Sequence, residues 1–374
     1  MKYSNLLLPF FFLSLLACDP SNSTTENDTK DVKEKTLTHL EYEGKKPQKI
    51  VFVSGDEEYR SEEALPQLAK ILNQQHGFNC TVLFAQQPDN KGTVDPNYTQ
   101  NIENLDKLED ADLLVLFTRF RALPDEQMQY FQNYLAAGKP LIGIRTATHA
   151  FHFKDSTHQF RHWGNYFKED DSSWQGGFGR LVLGERWHTH HGHHKHQSTR
   201  GRIAEASRAH PILNGIADGE IWGSTDVYGV RLPLPDDSQV LLLGEVVERA
   251  GEYDEEDLLY GMKESDEAVA TVNPASKESY HPNEPMMPIA WLKSYQLPDS
   301  ENKGTAFTST IGASVDLLDE EVRRLLVNAS YYLLDLEVPE KAKVDLVDDY
   351  QPTPYNFHDD AYWTEKNLQI ADLK

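Results

Sequence analysis

From residue 49 onward the chain alternates between short apolar runs and longer amphipathic segments. Residues 61–77 and 124–138 place apolar side chains at helical spacing and end at Gly77 and Gly138, which predicts two helices. Four apolar runs around these helices predict β-strands at residues 49–54, 79–84, 112–117 and 140–144. Continuous apolar strands between amphipathic helices are typical of a mainly parallel sheet with helices on both faces. The pattern therefore predicts a doubly wound α/β fold.

The second half of the chain follows this pattern less regularly. Residues 319–336 predict a closing helix with Asp319 as its N-cap. The acidic segment 245–267 predicts a solvated surface insertion. We expect one α/β domain over residues 48–338 and a C-terminal extension, residues 339–374, packed on its surface. Further apolar runs predict strands at residues 178–184, 239–247, 287–293 and 304–310.

The N-terminus predicts the location of the protein. An apolar run over residues 6–16 follows a single lysine and is too short to span a bilayer, which is typical of a signal peptide over residues 1–18. The letters LLAC ending at Cys18 resemble a bacterial lipobox, so we expect Cys18 to be lipidated; an ordinary secretory signal is the alternative. Residues 19–47 are polar and predict a disordered tether. We therefore expect an extracytoplasmic protein of the cell envelope, anchored to a membrane by lipid only.

Charge and cysteine content exclude several functions. The net charge is −24 and the isoelectric point is about 5.0, which argues against nucleic acid and anionic lipid as partners. Cys80 is the only cysteine besides Cys18 and lies in an apolar run. We expect Cys80 to be a buried packing residue and not a nucleophile.

Polar sequences follow three of the four early strands, at residues 55–63, 118–124 and 145–153. In an open α/β sheet, ligands bind outside the carboxyl ends of the strands, so we expect these loops to form one cleft. Carboxylates, guanidinium groups and an imidazole would supply acid, base and anion-stabilising groups there; solvated loop charges are the alternative. The expected catalytic residues are Glu58, Arg119, Arg145 and His149, and the expected substrate-binding residues are Asp56, Glu57, Arg60 and Arg121.

The densest histidine segment is WHTHHGHHKH, residues 187–196, which holds six of the 15 histidines. On an extended backbone His188 and His190 would share a face, and Gly192 would turn the chain and re-aim the next two histidines. Together with an acid such as Asp226 or Glu58, such histidines suit Zn²⁺, Mn²⁺ or Fe²⁺. The predicted metal ligands are His188, His190 and His193.

Two other interpretations of this segment stay open, because its spacing matches no established metal motif. In the first, the segment lines an active site without a decision on metal: His194 contacts a sugar and Trp187 stacks on the ring. In the second, the segment is an inert polar loop. We place the active-site lining first, metal binding second and the inert loop third.

Residues 140–151, PLIGIRTATHAF, resemble the nucleophile-elbow region of class I glutamine amidotransferase-like domains. In those domains a cysteine follows Gly-Ile, whereas this chain has Arg145, so thioester chemistry is not available. The motifs FVSGDEEYRSEEALP, GHH, AHPIL, PIAWLKSY and GTAFTSTIGASVD follow in an order that resembles the ThuA-like (trehalose utilisation) family. The likeness extends from residue 49 to about 336. One departure is the IGAS sequence at residues 311–314, where many relatives have a histidine.

The resemblance implies a class I glutamine amidotransferase-like (flavodoxin-like) fold and a link to sugars, especially oxidised 3-keto disaccharides and glycosides. We expect an enzyme that acts on a carbohydrate by acid/base chemistry. Glu58 or His149 would be the base, and Arg119 and Arg145 would hold developing negative charge. The alternative is a non-catalytic carbohydrate-binding lipoprotein. Its stacking platform would consist of Trp163, Trp174, Trp187 and Tyr166.

Overall fold

The computed structural model describes residues 36–168, 172–235 and 237–374. The predicted signal peptide with its lipidation site Cys18, and residues 19–35 of the predicted tether, lie outside these ranges. Within the described ranges, no helix combines the length and the apolar character needed to cross a bilayer.

The predicted disordered tether is wrong at its C-terminal end. His39–Tyr42 forms strand β1, which pairs antiparallel with Asn79–Phe84 (β3). Leu40 is buried in the core, and the pairing satisfies backbone groups that a tether would leave to water. A four-residue strand with one buried residue gives too weak a hydrophobic pattern to be recognised in polar surroundings.

Strands and helices alternate through the first half of the domain as predicted. The further strands are β2 (Lys49–Gly55), β4 (Leu113–Thr118), β5 (Leu141–Ile144), β6 (Gln197–Ile203), β7 (Trp222–Gly223), β8 (Ser238–Glu248), β9 (Met287–Tyr295) and β10 (Gly304–Ser309). The helices are α1 (Ser61–Gln74), α2 (Asp125–Ala136), α3 (Glu320–Leu333) and α4 (Asp360–Lys366). Shorter 3₁₀ helices cover Leu105–Leu108, Arg145–His149, Arg161–Trp163, Glu205–Ser207, Pro211–Leu213, Val315–Leu318 and Ile370–Leu373.

The strands of the described residues form one sheet in the order β1-β3-β2-β4-β5-β10-β9-β8-β6-β7. The five neighbours from β3 to β10 are parallel, and all other pairs are antiparallel. The α/β fold is therefore confirmed as a mixed sheet, with its parallel strands at the centre. The antiparallel half follows from short connections, because the eight residues between β9 and β10 cannot carry a parallel crossover.

Two hydrophobic cores cover the two faces of the sheet. In β2, Ile50 and Phe52 join a core that includes α1 and α3, whereas Val51 and Val53 join a core that includes α2. Side chains of a strand alternate between faces, so an uninterrupted apolar strand requires helices on both sides. The doubly wound arrangement of the central strands is therefore as predicted.

One predicted strand is wrong, and three observed strands were not predicted: β1, β6 and β7. Residues 178–184 do not pair with the sheet, because Gly179–Leu183 forms a turn of π-helix. Short apolar runs cannot be assigned to strand or buried helix by periodicity alone. Leu183 of this turn packs on the Cα of Gly143, where an added Cβ would lie 2.9 Å from its methyl groups. Strands β6 and β7 were missed because QSTRGRI is polar and WG has only two residues.

The chain after α3 lies against the domain. Helix α3 has Asp319 as its N-cap, as predicted, with the carboxylate accepting from the Val322 amide at 2.8 Å. In the extension over residues 339–374, Tyr355, Trp363 and Ile370 are buried. This segment therefore brings its own side chains to the region described next.

Candidate functional site

The loops that follow β2, β4 and β5 meet at the carboxyl edge of the parallel strands. The chain leaves β2 toward β3 on one side, and β4 lies on the other side, so the strand order reverses at β2. The Arg119 amide after β4 donates to the Gly55 carbonyl after β2 at 2.9 Å. The Phe120 amide donates to the carbonyl of His149, after β5, also at 2.9 Å. The structure thus brings together the loops that the sequence predicted, at the place where α/β folds bind ligands.

Three residues predicted to bind substrate instead hold these loops in place. Asp56 is fully buried and accepts from the Glu58 amide at 2.9 Å and from the Thr146 hydroxyl at 2.6 Å. Arg121 is fully buried and donates to backbone carbonyls, including that of Pro96 at 2.8 Å. Arg60 is fully buried and donates to the carbonyl of Asn356 at 2.6 Å. These side chains have protein partners and no exposed surface, so the contacts that they make lie within the protein.

Glu57 likewise faces protein groups. Its carboxylate pairs with Arg119 and with Arg121, the latter at 2.8 Å. Two cationic partners offset part of the cost of burying this carboxylate, and burial still raises its pKa above the ordinary value. Glu57 therefore links the loop after β2 to the loop after β4 and places Arg119 at the edge of the site.

Asp226 is the centre of the site. One carboxylate oxygen accepts from His190 Nδ1 at 2.8 Å, and the other accepts from His194 Nδ1 at 3.0 Å and from Arg145 at 3.1 Å. Burial opposes ionisation, but His190, His194 and Arg145 together hold the pKa of Asp226 well below its usual range. We call His190 and His194, which share this carboxylate, the histidine pair.

Backbone pairing explains why the histidine pair meets Asp226. His190 forms an antiparallel bridge with Tyr228, and the amides of His191 and Gly192 both donate to the Val227 carbonyl. The turn at Gly192 then directs His194 back toward Asp226. A carboxylate is thus fixed beside two imidazoles from a segment more than thirty residues earlier in the chain.

Arg145 is a buried structural cation. Its guanidinium carbon lies 4.4 Å from the ring centroid of Tyr59 and 4.0 Å from that of Tyr228. Besides the Asp226 carboxylate, it donates to the backbone carbonyls of Asp226 and Thr310. Because these groups enclose it, Arg145 reaches the site through its contact with Asp226.

Glu58 and Arg119 border the histidine pair. Glu58 Oε1 lies 3.5 Å from His194 Nε2, and Glu58 Oε2 lies 3.6 Å from Arg119 Nε. Burial and the negative charge of Asp56 raise the pKa of Glu58 to about 7, against the opposing effect of Arg119. The Arg119 side chain stays 19% exposed, and its guanidinium lies 4.7 Å from the rings of both Phe120 and Phe357. Both residues are placed as the sequence predicted, beside one another.

His149 lies in an aromatic wall of the site. Its ring centroid is 5.0 Å from that of Phe120 and 5.2 Å from that of Trp187. Burial, helped by the positive charge of Arg119, holds the pKa of His149 well below its usual range. His149 is therefore a neutral imidazole at neutral pH.

A cavity of about 950 Å³ opens beside the histidine pair. Residues 187–196 form one side of it, and Asn273, Lys277 and Tyr280 belong to the other side. Ligand cavities of roughly 300–1,000 Å³ accommodate small organic molecules. Trp187 and His194, both predicted to bind substrate, line this cavity.

Of the three predicted metal ligands, His190 lies in a group with the spacing of a metal site, and His188 and His193 lie outside that group. His190 belongs to the one group in the described part of the chain with the spacing of a metal site, where ligand atoms of His190, His194 and Asp226 lie within 4.8 Å of one another. His193 stacks on His196 with ring centroids 4.1 Å apart. His188 is exposed and lies outside the bridged residues. The turn at Gly192 sends His194 inward and His193 outward, which alternation along a strand could not predict.

The predicted stacking platform does not form as one surface. Trp163 is buried in the core, where it stacks on Phe178 and on Trp174. Tyr166 is 50% exposed and lies beside Phe120. Trp187 lines the cavity, whereas the other three aromatic residues do not. A core position explains Trp163, because large aromatic rings contribute most of their stabilisation when buried.

Three tyrosines shape the site and were not predicted. Tyr59 and Tyr228 enclose Arg145, and Tyr355 stacks on Tyr59 and lies edge-on to His194 at 5.5 Å. The spacing of Tyr228 was a usable signal, because residues two apart on an extended chain share a face, and Tyr228 follows Asp226 by two. Tyr355 carries no such signal, since the extension reaches the site only through the tertiary fold.

Comparisons with known proteins agree with this architecture. The family model for ThuA, described as trehalose utilisation, matches residues 49–333. A search of curated proteins finds no match.

Three solved structures are similar at low sequence identity. A ThuA-like protein from Bacteroides uniformis is 13% identical, with 76% of this chain and 90% of the other covered and a TM-score of 0.41. A ThuA-like protein from Parabacteroides merdae is 12% identical, with 84% of this chain and 98% of the other covered and a TM-score of 0.40. A cytoplasmic protein from Salmonella typhimurium is 12% identical, with 78% of this chain and 99% of the other covered and a TM-score of 0.36. Since the family match spans more than half of its length, this chain belongs to the ThuA (trehalose utilisation) family.

Proposed function

We propose that this protein is an enzyme that removes a proton from the carbon next to a ketone in an oxidised sugar, with His149 as the base. The observation that carries the proposal is the orientation of His149. We assign the Thr148 hydroxyl hydrogen to the Arg145 carbonyl, 3.3 Å away, so that the hydroxyl oxygen accepts from His149 Nδ1 at 3.2 Å. Nδ1 then carries the hydrogen, and Nε2 presents the lone pair that a general base requires.

Among the predicted bases, the contacts favour His149 over Glu58. The Glu58 carboxylate faces His194 and Arg119, at 3.5 and 3.6 Å. His149 contacts aromatic rings and the Thr148 hydroxyl, and no carboxylate is paired with it among the described residues. A neutral imidazole without an ionic partner can accept a proton without first breaking an ion pair, although burial and Arg119 lower the pKa of His149 and so weaken it as a base.

Arg119 is the group that would hold the developing negative charge. It is partly exposed, whereas Arg145 is enclosed between two tyrosine rings. A guanidinium near the ketone oxygen stabilises an enolate more than the neutral ketone, which is the difference that lowers the barrier.

Trp187 supports a sugar as the substrate. Its ring lines the cavity and lies against His149, with 5.2 Å between the ring centroids. The apolar face of a pyranose stacks on an aromatic ring, and such stacking would bring ring C–H bonds near the base. The cavity of about 950 Å³ has room for a sugar with a substituent.

The proposed step is balanced without an external oxidant. His149 Nε2 takes the proton from the carbon between the ketone and the anomeric carbon, and the bonding electrons move to the ketone oxygen. The enolate can take the proton at the former ketone carbon while the hydrogen of the neighbouring hydroxyl moves to the ketone oxygen, which shifts the ketone by one carbon. Alternatively, it expels the anomeric substituent, which leaves with the proton as an alcohol. The first outcome is isomerisation and the second is elimination.

The test is turnover of a 3-keto glucoside by the purified protein, followed by mass spectrometry and NMR. His149→Gln should lower the rate by roughly 10²–10⁴, the usual contribution of a general base. His76→Gln is the matched control, because His76 follows α1, at the opposite edge of the sheet, and should leave the rate unchanged. Equal rates for wild type and His149→Gln would refute the assignment. Tight binding of the glycoside without any product would instead support the non-catalytic carbohydrate-binding alternative.

We also propose that this activity is located outside the cytoplasm, on a lipid anchor at Cys18. The support is the lipobox-like LLAC sequence followed by a polar stretch. Metabolic labelling with a radioactive fatty acid should mark the wild-type protein and not Cys18→Ser. Equal labelling of both would exclude Cys18 as the anchor.

A further inference from the structure

We propose that the histidine pair and Glu58 bind one divalent transition-metal ion, through His190 Nε2, His194 Nε2 and the Glu58 carboxylate. Asp226 lies outside this coordination and orients both imidazoles. This site is independent of the proposed reaction, so it can be tested without a substrate.

The hydrogen bonds to Asp226 fix how both imidazoles point. His190 Nδ1 and His194 Nδ1 lie 2.8 and 3.0 Å from the two carboxylate oxygens, so each Nδ1 carries a hydrogen. Each Nε2 then has no hydrogen and offers a lone pair to a metal ion, and the centroids of the two rings are 4.7 Å apart. Metal-binding histidines characteristically donate their second ring N–H to a carboxylate in this way. Here a single carboxylate orients two such rings.

We assign the third ligand to Glu58, whose carboxylate adjoins His194, although Asp226 is the acid that completes the group with metal-site spacing. Its Oε1 lies 3.5 Å from His194 Nε2, which is longer than an ordinary hydrogen bond. Two ligands on one zinc ion, each bound at about 2.0–2.2 Å in a tetrahedron, are roughly 3.3–3.6 Å apart. The oxygen and nitrogen are therefore at the separation expected for two atoms that share an ion.

Asp226 is already occupied and leaves this role to Glu58. Its oxygens accept from both members of the histidine pair and from Arg145. Direct coordination by Asp226 would require breaking these bonds. Two histidines and one carboxylate are a set that suits Zn²⁺, Mn²⁺ and Fe²⁺.

The site would be of the open kind. Both histidines line the cavity of about 950 Å³, so a coordination position can face the space where a small molecule enters. Structural zinc sites are closed by four protein ligands, whereas catalytic sites have three and leave one position for water or substrate. The carbonyl or hydroxyl oxygen of a sugar is a ligand of the right chemistry for that position.

The test is metal binding by the full chain after treatment with a chelator. Titration with Zn²⁺ in a calorimeter, and with Co²⁺ followed by visible absorption, should show one saturable equivalent. His190→Ala and His194→Ala should abolish that equivalent, and Asp226→Asn should weaken it by about 10–100-fold. His193→Ala is the matched control, because His193 lies in the same segment but stacks on His196. Circular dichroism of each variant establishes that the fold is retained.

Two results would overturn the site. One is the absence of saturable binding by the wild type. The other is binding that persists in His190→Ala and His194→Ala, or that disappears in His193→Ala, since the ion would then lie elsewhere. A protein that binds one equivalent but leaves 3-keto glucosides unchanged would refute the proposed reaction and leave the metal site standing.

Discussion

Replacement of Asp226 by asparagine tests the electrostatic centre of the molecule. The carboxylate is fully buried and accepts from two imidazoles and one buried guanidinium. An asparagine has one acceptor oxygen, and its amide group would face N–H donors. Arg145 would also lose its anionic partner while remaining enclosed between Tyr59 and Tyr228.

The magnitude follows from these contacts. Removing one partner of a buried ion pair typically costs about 3–5 kcal/mol, because the other charge stays buried without compensation. Whole domains are stable by only about 5–15 kcal/mol, so the expected loss is a large fraction of the total. Asp110→Asn is the control: Asp110 pairs with Lys49 at 3.4 Å on the surface, and such pairs contribute at most about 1 kcal/mol.

The assay is equilibrium unfolding in urea at pH 7, followed by far-ultraviolet circular dichroism. Asp226→Asn should lower the free energy of unfolding by about 3–5 kcal/mol. The lowered pKa of Asp226 sets how the free energy of unfolding depends on pH. The stability that this carboxylate contributes is present above the ordinary carboxylate pKa and is lost as the pH falls through the pKa of Asp226 in the folded protein. The gap between wild type and variant should therefore narrow in strong acid. A loss below about 1 kcal/mol at pH 7 would refute the claim that this carboxylate holds the site together.

Three further results are expected. Tyr355→Ala should cost about 3–5 kcal/mol in urea unfolding because its buried ring stacks on Tyr59, whereas Phe357→Ala, 49% exposed, should cost far less; similar costs would contradict the packing. Burial raises the pKa of Glu62 to about 7 from 4.5, so the folded state loses stability as pH rises between these values. Glu62→Gln should thus gain on the order of 1–3 kcal/mol over wild type at pH 8 and nothing at pH 4, and a pH-independent difference would refute this. Gly223→Ala should lower the melting temperature, because the added Cβ would lie 2.6 Å from an Asp316 oxygen. An unchanged melting temperature would contradict this close contact.

The central sheet could be predicted from the sequence because its signals are local. Strands β2, β4 and β5 are apolar on both faces, and such runs between amphipathic helices have one common solution. The direction of β8 to β10 could not be obtained from hydrophobicity, which is the same for parallel and antiparallel strands. The short connection before β10 held that information. The π-helical turn at Gly179–Leu183 depends on packing against Gly143, which no local pattern contains.

The site was predictable in position and less so in roles. The carboxyl ends of β2, β4 and β5 indicated Glu58, Arg119 and His149, and these lie near one another as expected. Which charges reach a ligand depends on partners far away in sequence. The sequence predicts a catalytic role for Arg145, yet its partners are Asp226 and two tyrosine rings, which the hydrophobic pattern does not reveal.

Exchange of hydrogen for deuterium at the carbon beside the ketone tests the proposed chemistry most directly. A 3-keto glucoside is incubated with the protein in heavy water, and incorporation is followed by NMR against a sample without protein. We expect the wild-type protein to accelerate incorporation and His149→Gln to reduce that acceleration by roughly 10²–10⁴. Incorporation at the uncatalysed rate with wild type, or at the same accelerated rate with both proteins, would contradict the assignment of His149 as the base.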